Sequence, residues 1–170
     1  MAWTTPRTWT TGETVTASLL NTHVRDNLTY LSAVKSFRAY QSAGQAIASS
    51  TDTKVSFQTE VWDTEGQFDP TTNYRHTPLI AGKWLYTAIV HLPNSNGGRT
   101  FLSLRKTGAI HHYGPQYVFA NDARPDVTGI MDMNGSTDYA EVYLYHEAGA
   151  SRTITTGDIY SAFSGAWLGA

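Results

Sequence analysis

The chain has 170 residues, which is enough for one domain with a sizeable core and too few for two average domains. It contains no cysteine, which excludes disulfides, thiolate catalysis, iron–sulfur clusters and cysteine-ligated zinc. A net charge of −2 argues against a main role in nucleic-acid binding, and no apolar run approaches the ~18 residues of a membrane span. Charged residues make up only 15%, and aromatic residues reach 12%. This composition favours strands and a surface that is covered by something other than water.

Residues 1–35 differ from the rest and form a predicted N-terminal arm and helix. Residues 1–12 contain Trp3 and Trp9 without any periodicity, which predicts an extended arm. Each indole can bury about 150 Å² or more, so both should insert into another structure.

A short amphipathic helix should follow the arm, with Thr16 as its N-cap. Apolar residues recur on one face at spacings of four, four and three: Leu20, Val24, Leu28 and Leu31. A single helix of this length cannot bury such a stripe alone. We therefore expect the stripe to dock on other chains; packing on its own domain is the alternative.

Residues 36–170 alternate short apolar runs with turn sequences, which predicts a mainly β, antiparallel jelly roll or a close relative. The predicted strands are 37–40, 54–57, 60–62, 83–92, 100–105, 116–120, 128–133, 139–146 and 161–168. No further helix and no internal repeat is expected here.

Two of these strands, 84–90 and 141–145, alternate aliphatic with aromatic residues, so both of their faces should be covered. We assign the aliphatic face to the core, which is predicted to contain Phe57, Leu85, Ile89, Leu102, Leu104, Val142 and Leu144. The aromatic face would suit an oligomer interface, and its predicted residues are Trp84, Tyr86, Tyr143, Tyr145 and Phe163. A loop or the N-terminal helix covering that face is the alternative.

The head sequence resembles the trimeric jelly roll shared by the complement q-subcomponent globular head and tumour necrosis factor. The resemblance covers most of 36–170 and is carried by segments 55–57 with Trp62, 68–70, 82–86, 128–130, 138–145 and 160–168. It implies a homotrimer with the aromatic face at the threefold axis. The collagen stalk typical of complement-type proteins is missing, so association would depend on the helix and the aromatic face.

Residues 10–28 resemble a leader found on structural proteins of tailed bacteriophages, particularly tail-associated and fibre-like ones. This resemblance implies a virion location and partners among other phage structural proteins. The anchor would consist of Trp3, Trp9, Leu20, Val24, Leu28 and Leu31.

No catalytic motif, cofactor-binding motif or clear metal site is apparent, so neither an enzyme nor a cofactor is expected. His111 and His112 are adjacent and should point to opposite faces of a strand, which disfavours joint metal binding with His91 or His146. The acidic residues around Gly66 do not fit the spacing of a helix–loop–helix calcium site.

The sequence thus predicts a non-enzymatic virion protein, either a tail or baseplate fibre head that contacts the host or a capsid decoration or head fibre. Host polysaccharide or a receptor would be met in loops. The candidate contact residues are Asn94, Asn96, Arg99, His111, His112, Tyr113, Asn121 and Asp126. The alternatives are a cellular or secreted carbohydrate-binding or signalling module of the same fold and a phage-borne hydrolase. The first would have an export signal, and none is recognised here.

Overall fold

The computed structural model describes residues 3–95, 98–118 and 121–170. The chain divides into two compact units, an N-terminal unit, Met1–Val34, and a head, Lys35–Ala170. This division lies one residue from the sequence-based boundary at 35.

The N-terminal unit contains a helical segment in three consecutive parts. An α-helix, α1 (Ala17–Leu20), leads into a π-helical stretch, Asn21–Arg25, and then into α2 (Asp26–Ser32). The Thr16 side chain accepts a hydrogen bond of 3.3 Å from the Leu19 amide, which confirms the predicted N-cap. No helix within residues 3–95, 98–118 and 121–170 is long and apolar enough to cross a membrane.

The head is an antiparallel β-sandwich, as the sequence predicts. Its strands in chain order are β1 (Ser36–Tyr40), β2 (Ala46–Ile47), β3 (Thr53–Lys54), β4 (Thr59–Asp63), β5 (Phe68–Asp69), β6 (Arg75–His76), β7 (Gly82–Ile89), β8 (Arg99–Lys106), β9 (Ala109–Tyr113), β10 (Tyr117–Val118), β11 (Asp126–Met133), β12 (Ala140–His146), β13 (Arg152–Thr153) and β14 (Ala162–Gly169). Most of the predicted strands are present within a few residues of their expected bounds. The predicted strand 116–120 corresponds to β10 up to residue 118. Residues 119 and 120 lie outside the described residues.

Two sheets face each other in the sandwich. The first has five strands in the order β11-β7-β14-β1-β4. The second runs β10-β8-β12-β6-β5, with β9 paired to β8 and β3 paired to β12. Non-consecutive strands are neighbours in both sheets, as expected for a jelly roll. Strands β2 and β13 form a separate pair.

The core between the sheets is rich in aromatic rings. Phe163 packs edge-on to Phe37 at 5.0 Å between ring centroids and lies 5.7 Å from Phe57. His76 stacks on Phe37 at 4.3 Å and shares a hydrogen bond of 3.0 Å with the Tyr86 hydroxyl. Burial lowers the pKa of His76 to about 3, so the imidazole is neutral in the folded head.

The inward face of β7 is the opposite of the one that the sequence predicts. Trp84, Tyr86 and Phe163 are 0–1% exposed within a single chain and cannot form a contact surface with other copies. Leu85 and Ile89, predicted as core, lie on the outward face, and Ile89 is 37% exposed. The larger rings gain more from burial, and Trp84 Nε1 finds a partner at 3.1 Å in the Ile80 carbonyl.

The predicted inward faces of the second sheet are correct. Leu102 and Leu104 on β8, with Val142 and Leu144 on β12, are all buried, as is Phe57. Tyr143 and Tyr145 point away from this core and remain half-buried.

Candidate functional site

The N-terminal arm folds back on one side of the helical segment. The Asn27 side chain accepts a hydrogen bond of 3.0 Å from the Thr4 amide and donates one of 2.8 Å to the Thr4 carbonyl. It also donates to the His23 carbonyl at 3.2 Å, and the Trp3 and Tyr30 rings lie 5.9 Å apart. Asn27 therefore fixes the arm through both the oxygen and the nitrogen of its side-chain amide.

The predicted anchor residues are all exposed in this structure. Leu20 and Val24 are 46% and 42% exposed, and Leu28 and Leu31 are 61% and 58% exposed. Trp3 and Trp9 are 44% and 40% exposed even though Trp3 contacts Tyr30 and Arg7 lies over Trp9. The helix thus presents an apolar stripe that the arm does not cover.

A second exposed apolar surface lies on the outer side of the five-stranded sheet, and we call it the apolar sheet face. Its residues are Tyr40, Trp62, Leu85, Ile89, Ile130 and Leu168. Ile130 stands opposite Leu85, which in turn stands opposite Ala166, so these side chains form one apolar row. A polar row crosses the centre, where Thr128 donates to Thr87 at 3.0 Å.

The outer side of the second sheet carries a different surface, which we call the aromatic platform: Arg99, Phe101, Tyr113, Tyr145 and Glu147. Phe101 stacks on Tyr145 with 5.1 Å between ring centroids and meets Tyr113 edge-on at 5.6 Å. The platform spans three neighbouring strands, since β8 pairs with both β12 and β9.

The rim of the platform is fixed by a charged pair. Arg99 donates to both carboxylate oxygens of Glu147, at 2.9 Å from Nε and 2.5 Å from Nη2. The Tyr145 hydroxyl donates to the same carboxylate at 2.9 Å. These hydrogen bonds from Arg99 and Tyr145 lower the pKa of Glu147 to about 2, so the carboxylate is ionised at neutral pH.

The candidate contact residues fall into two groups. Asn94 and Asn121 lie in loops and are exposed, as predicted, whereas Asn96 lies outside the described residues. The prediction of loops is wrong for the five others, which lie in strands: Arg99 on β8, His111, His112 and Tyr113 on β9, and Asp126 at the start of β11. Of the described members of this set, only Arg99 and Tyr113 lie in the aromatic platform.

His112 lies at one edge of the sandwich and contacts strands of both sheets. Its ring lies against Gly129 of β11, where a Cβ atom would stand 2.1 Å from His112 Cδ2. His112 Nε2 is 3.3 Å from the Ile130 carbonyl oxygen. The histidine is therefore a bridge between β9 and β11, which belong to different sheets.

Acidic residues near Gly66 hold turns of the chain. The Asp63 carboxylate accepts hydrogen bonds from the amides of Gln67 and Phe68 at 2.5 and 2.7 Å, and from two further amides. Asp69 accepts from the Thr71 and Thr72 amides, and these bonds hold its pKa well below the ordinary range. Among the described residues, no group of three or more His, Asp or Glu side chains could hold a metal ion.

The chain is similar to known proteins in structure but not in sequence. No family model matches the sequence, and no curated protein matches it. Among solved structures, murine APRIL is similar with a TM-score of 0.59 and 11% identity, over 80% of this chain and 100% of that one.

Two other solved structures show the same likeness. Eiger TNF from S. frugiperda has a TM-score of 0.56 and 12% identity, over 80% of this chain and 93% of that one. PRD1 vertex protein P5 has a TM-score of 0.55 and 14% identity, over 81% and 99%. The head therefore has a TNF-like jelly-roll fold, in agreement with the resemblance seen in the sequence.

Proposed function

We propose that the chain is a non-enzymatic structural protein of a bacteriophage virion. A homotrimeric jelly-roll head would be held on the particle by the N-terminal unit. The observation that carries this proposal is the exposed apolar stripe on the helix together with the apolar sheet face on the head. Exposed apolar patches of this kind mark sites of protein–protein contact.

The apolar sheet face is the surface that we assign to self-association. Trp62, Ile130 and Leu168 are 47%, 49% and 54% exposed, so an isolated head would leave them in water. Closed symmetry would bury this face in every copy. This assignment replaces the sequence-based one, which placed Trp84, Tyr86, Tyr143, Tyr145 and Phe163 at the axis.

The helical stripe is the surface that we assign to attachment. The phage-leader resemblance covers residues 10–28, which include Leu20, Val24 and Leu28. The likeness of the head to the vertex protein P5 of phage PRD1 supports a place on a particle. The chain would then be either a tail or baseplate fibre head that contacts the host, or a capsid decoration or head fibre.

Particle attachment is tested with virions produced from the genome that encodes the chain. The chain should co-sediment with purified particles in a density gradient, and antibodies against it should label the tail or the capsid surface. A chain that is absent from purified particles and found only in the particle-free fraction would refute the virion role.

Self-association is tested by light scattering at micromolar concentration. The full chain should have the mass of three copies, and Ile130→Asp should reduce it to one copy because a charge would be buried in the interface. Leu79→Asp is the matched control, since Leu79 is 65% exposed outside the apolar sheet face. Equal masses for wild type and Ile130→Asp would show that this face is not the interface.

The second candidate function is a cellular or secreted signalling or carbohydrate-binding module. The likeness of the head to murine APRIL and Eiger TNF favours it. This function would not need the apolar stripe, so Leu20→Ser with Leu28→Ser should leave it intact. The same double substitution should release the chain from particles if the virion proposal is correct.

A further inference from the structure

We propose that the aromatic platform binds an uncharged hexose polysaccharide. The inference deepens the proposed function and rests on it in one respect: the polymer would be met on the host surface.

The rings form a preassembled cluster in which Tyr113 is the exposed member. Tyr113 is 59% exposed and is held against Phe101, which is itself stacked on Tyr145. The outer face of an antiparallel sheet is normally polar, so three adjacent rings there are not explained by the core. A pyranose ring presents one largely apolar face of C–H groups, and such a face packs on aromatic rings.

The rim supplies polar groups to the hydroxyls of a sugar. The Glu147 carboxylate is held by Arg99 and by the Tyr145 hydroxyl, yet it retains acceptor capacity for further O–H donors. Because these bonds already order the ring and the carboxylate, binding would immobilise few side chains. The platform therefore combines stacking with directed hydrogen bonding at low entropic cost.

The floor of the same sheet face contains a polar group without a partner. Ser103 is 1% exposed and lies on the outward side of β8, opposite Tyr143 and Tyr113 in the neighbouring strands. Its hydroxyl has no hydrogen-bond partner among the described residues. A ligand hydroxyl would satisfy it if the side chains that cover Ser103 move apart on binding.

The charges around the platform favour a neutral ligand. Arg99 pairs with Glu147, Arg105 with Asp52, and Lys54 with Glu141, the last at 2.8 Å. Three cations are thus balanced by three anions on this face, so a polyanion would gain no net attraction. This argues for an uncharged glycan over nucleic acid or a sulfated polymer.

The test uses the full chain in native gels that contain one soluble polysaccharide each, from a panel of α- and β-linked glucans, mannan and galactan. At least one neutral polymer should retard the wild-type chain. Tyr113→Ala should weaken that binding about tenfold, which corresponds to the loss of one stacked ring. Ser103→Ala should weaken it about threefold.

Tyr74→Ala is the matched control, since Tyr74 is a half-buried tyrosine in the loop before β6. It should bind as the wild type does. Retardation by no neutral polymer, equal retardation of wild type and Tyr113→Ala, or retardation only by heparin would each overturn the proposal. Retention of a peptide or protein on the platform without any glycan binding would also overturn it.

The outcome is separable from that of the proposed function. Light scattering and particle co-sedimentation of Tyr113→Ala report on assembly, because Tyr113 lies on neither the apolar sheet face nor the helical stripe. A variant that assembles normally but has lost polysaccharide binding supports both proposals. A wild-type chain that binds polysaccharide yet is absent from particles refutes only the virion role.

Discussion

The head buries its largest aromatic residues, whereas the N-terminal unit leaves its aromatic and apolar residues exposed. In the head, Phe163 is fully buried and surrounded by the rings of Phe37, Phe57, Phe68 and Tyr86. In the N-terminal unit, the indoles and the leucine stripe are exposed, and Asn27 is its one clearly buried residue among those described.

This difference separates two sources of stability. The head has a closed core and should hold its fold by its own packing. Helices as short as that of the N-terminal unit are marginal without a packed apolar face, so we expect this unit to gain most of its stability from whatever covers the stripe. Measurements on the two units therefore distinguish packing within the chain from packing on a partner.

The largest effect should come from Phe163→Ala. Removing this ring leaves a cavity among four other rings and should lower the free energy of unfolding by about 3–5 kcal/mol. Urea titration of the full chain measures the change. Leu79→Ala, at a 65% exposed position outside the apolar sheet face, should change it by less than about 0.5 kcal/mol. Similar losses for both variants would contradict the central place of Phe163 in the core.

A pH effect on the head should be the next largest. The folded pKa of His76 is about 3 against an ordinary 6.5, so the unfolded chain binds the extra proton first. The contribution of neutral His76 to the free energy of unfolding is fully present above pH 6.5 and is lost as the pH falls toward 3. Between pH 6.5 and 5 the free energy of unfolding should fall by about 2 kcal/mol.

The control replaces both members of the buried pair by rings without polar atoms. His76→Phe combined with Tyr86→Phe should remove the loss between pH 6.5 and 5, because no titrating group remains at that site. Asp63, whose charge raises the pKa of His76, is unchanged in the variant. An identical pH dependence in both proteins would show that another group is responsible.

A smaller effect is expected for Asn27→Ala in the N-terminal unit. The substitution removes three hydrogen bonds and should release the arm, with a local cost of about 1–2 kcal/mol. Protection of the Thr4 amide from hydrogen exchange should fall about tenfold, while protection of the β7 and β14 amides stays the same. A parallel loss of protection in the β7 and β14 amides would show that the effect of the substitution is not local to the arm.

The smallest effect on stability should come from Leu28→Ser. Leu28 is 61% exposed, so the free energy of unfolding of the isolated chain should change by less than about 0.5 kcal/mol. Calorimetry of the purified chain provides the measurement. A large destabilisation would mean that the stripe is packed within the chain in solution.

The sequence predicted the strands well and the faces of only some of them. On β12 the choice was correct, because Val142 and Leu144 are clearly distinct from the two tyrosines that can reach polar partners. On β7 both faces are apolar, so alternation could not choose between them. Two facts decide which face of β7 points inward. The indole and phenol rings have the greater area, and the Tyr86 hydroxyl forms a hydrogen bond with His76. The second fact depends on a strand pairing that the sequence does not show.

The aromatic platform was missed for a related reason. Its rings come from three strands, and the β8–β9 hairpin that joins two of them was not predicted. The sequence signal for this turn was weak: Gly108 suits a positive φ, but Thr107 is not typical of the two-residue hairpin turn in which the two residues adopt φ of 81° and 50°. The stacking of Phe101 on Tyr145 depends on the register of β8 with β12, which local patterns do not determine.

The pairing of β1 with β14 has a practical consequence for engineering. Ser36 stands opposite Ala166 in this antiparallel pair, so the polypeptide enters the head and leaves its last strand at the same end of the sandwich. The loops that hold Asn94 and Asn121 are at the other end, beyond the Ile89–Ala162 pair. A peptide tag fused after Ala170 would therefore emerge beside the junction at Lys35, whereas an epitope grafted into either loop would be presented at the distal tip.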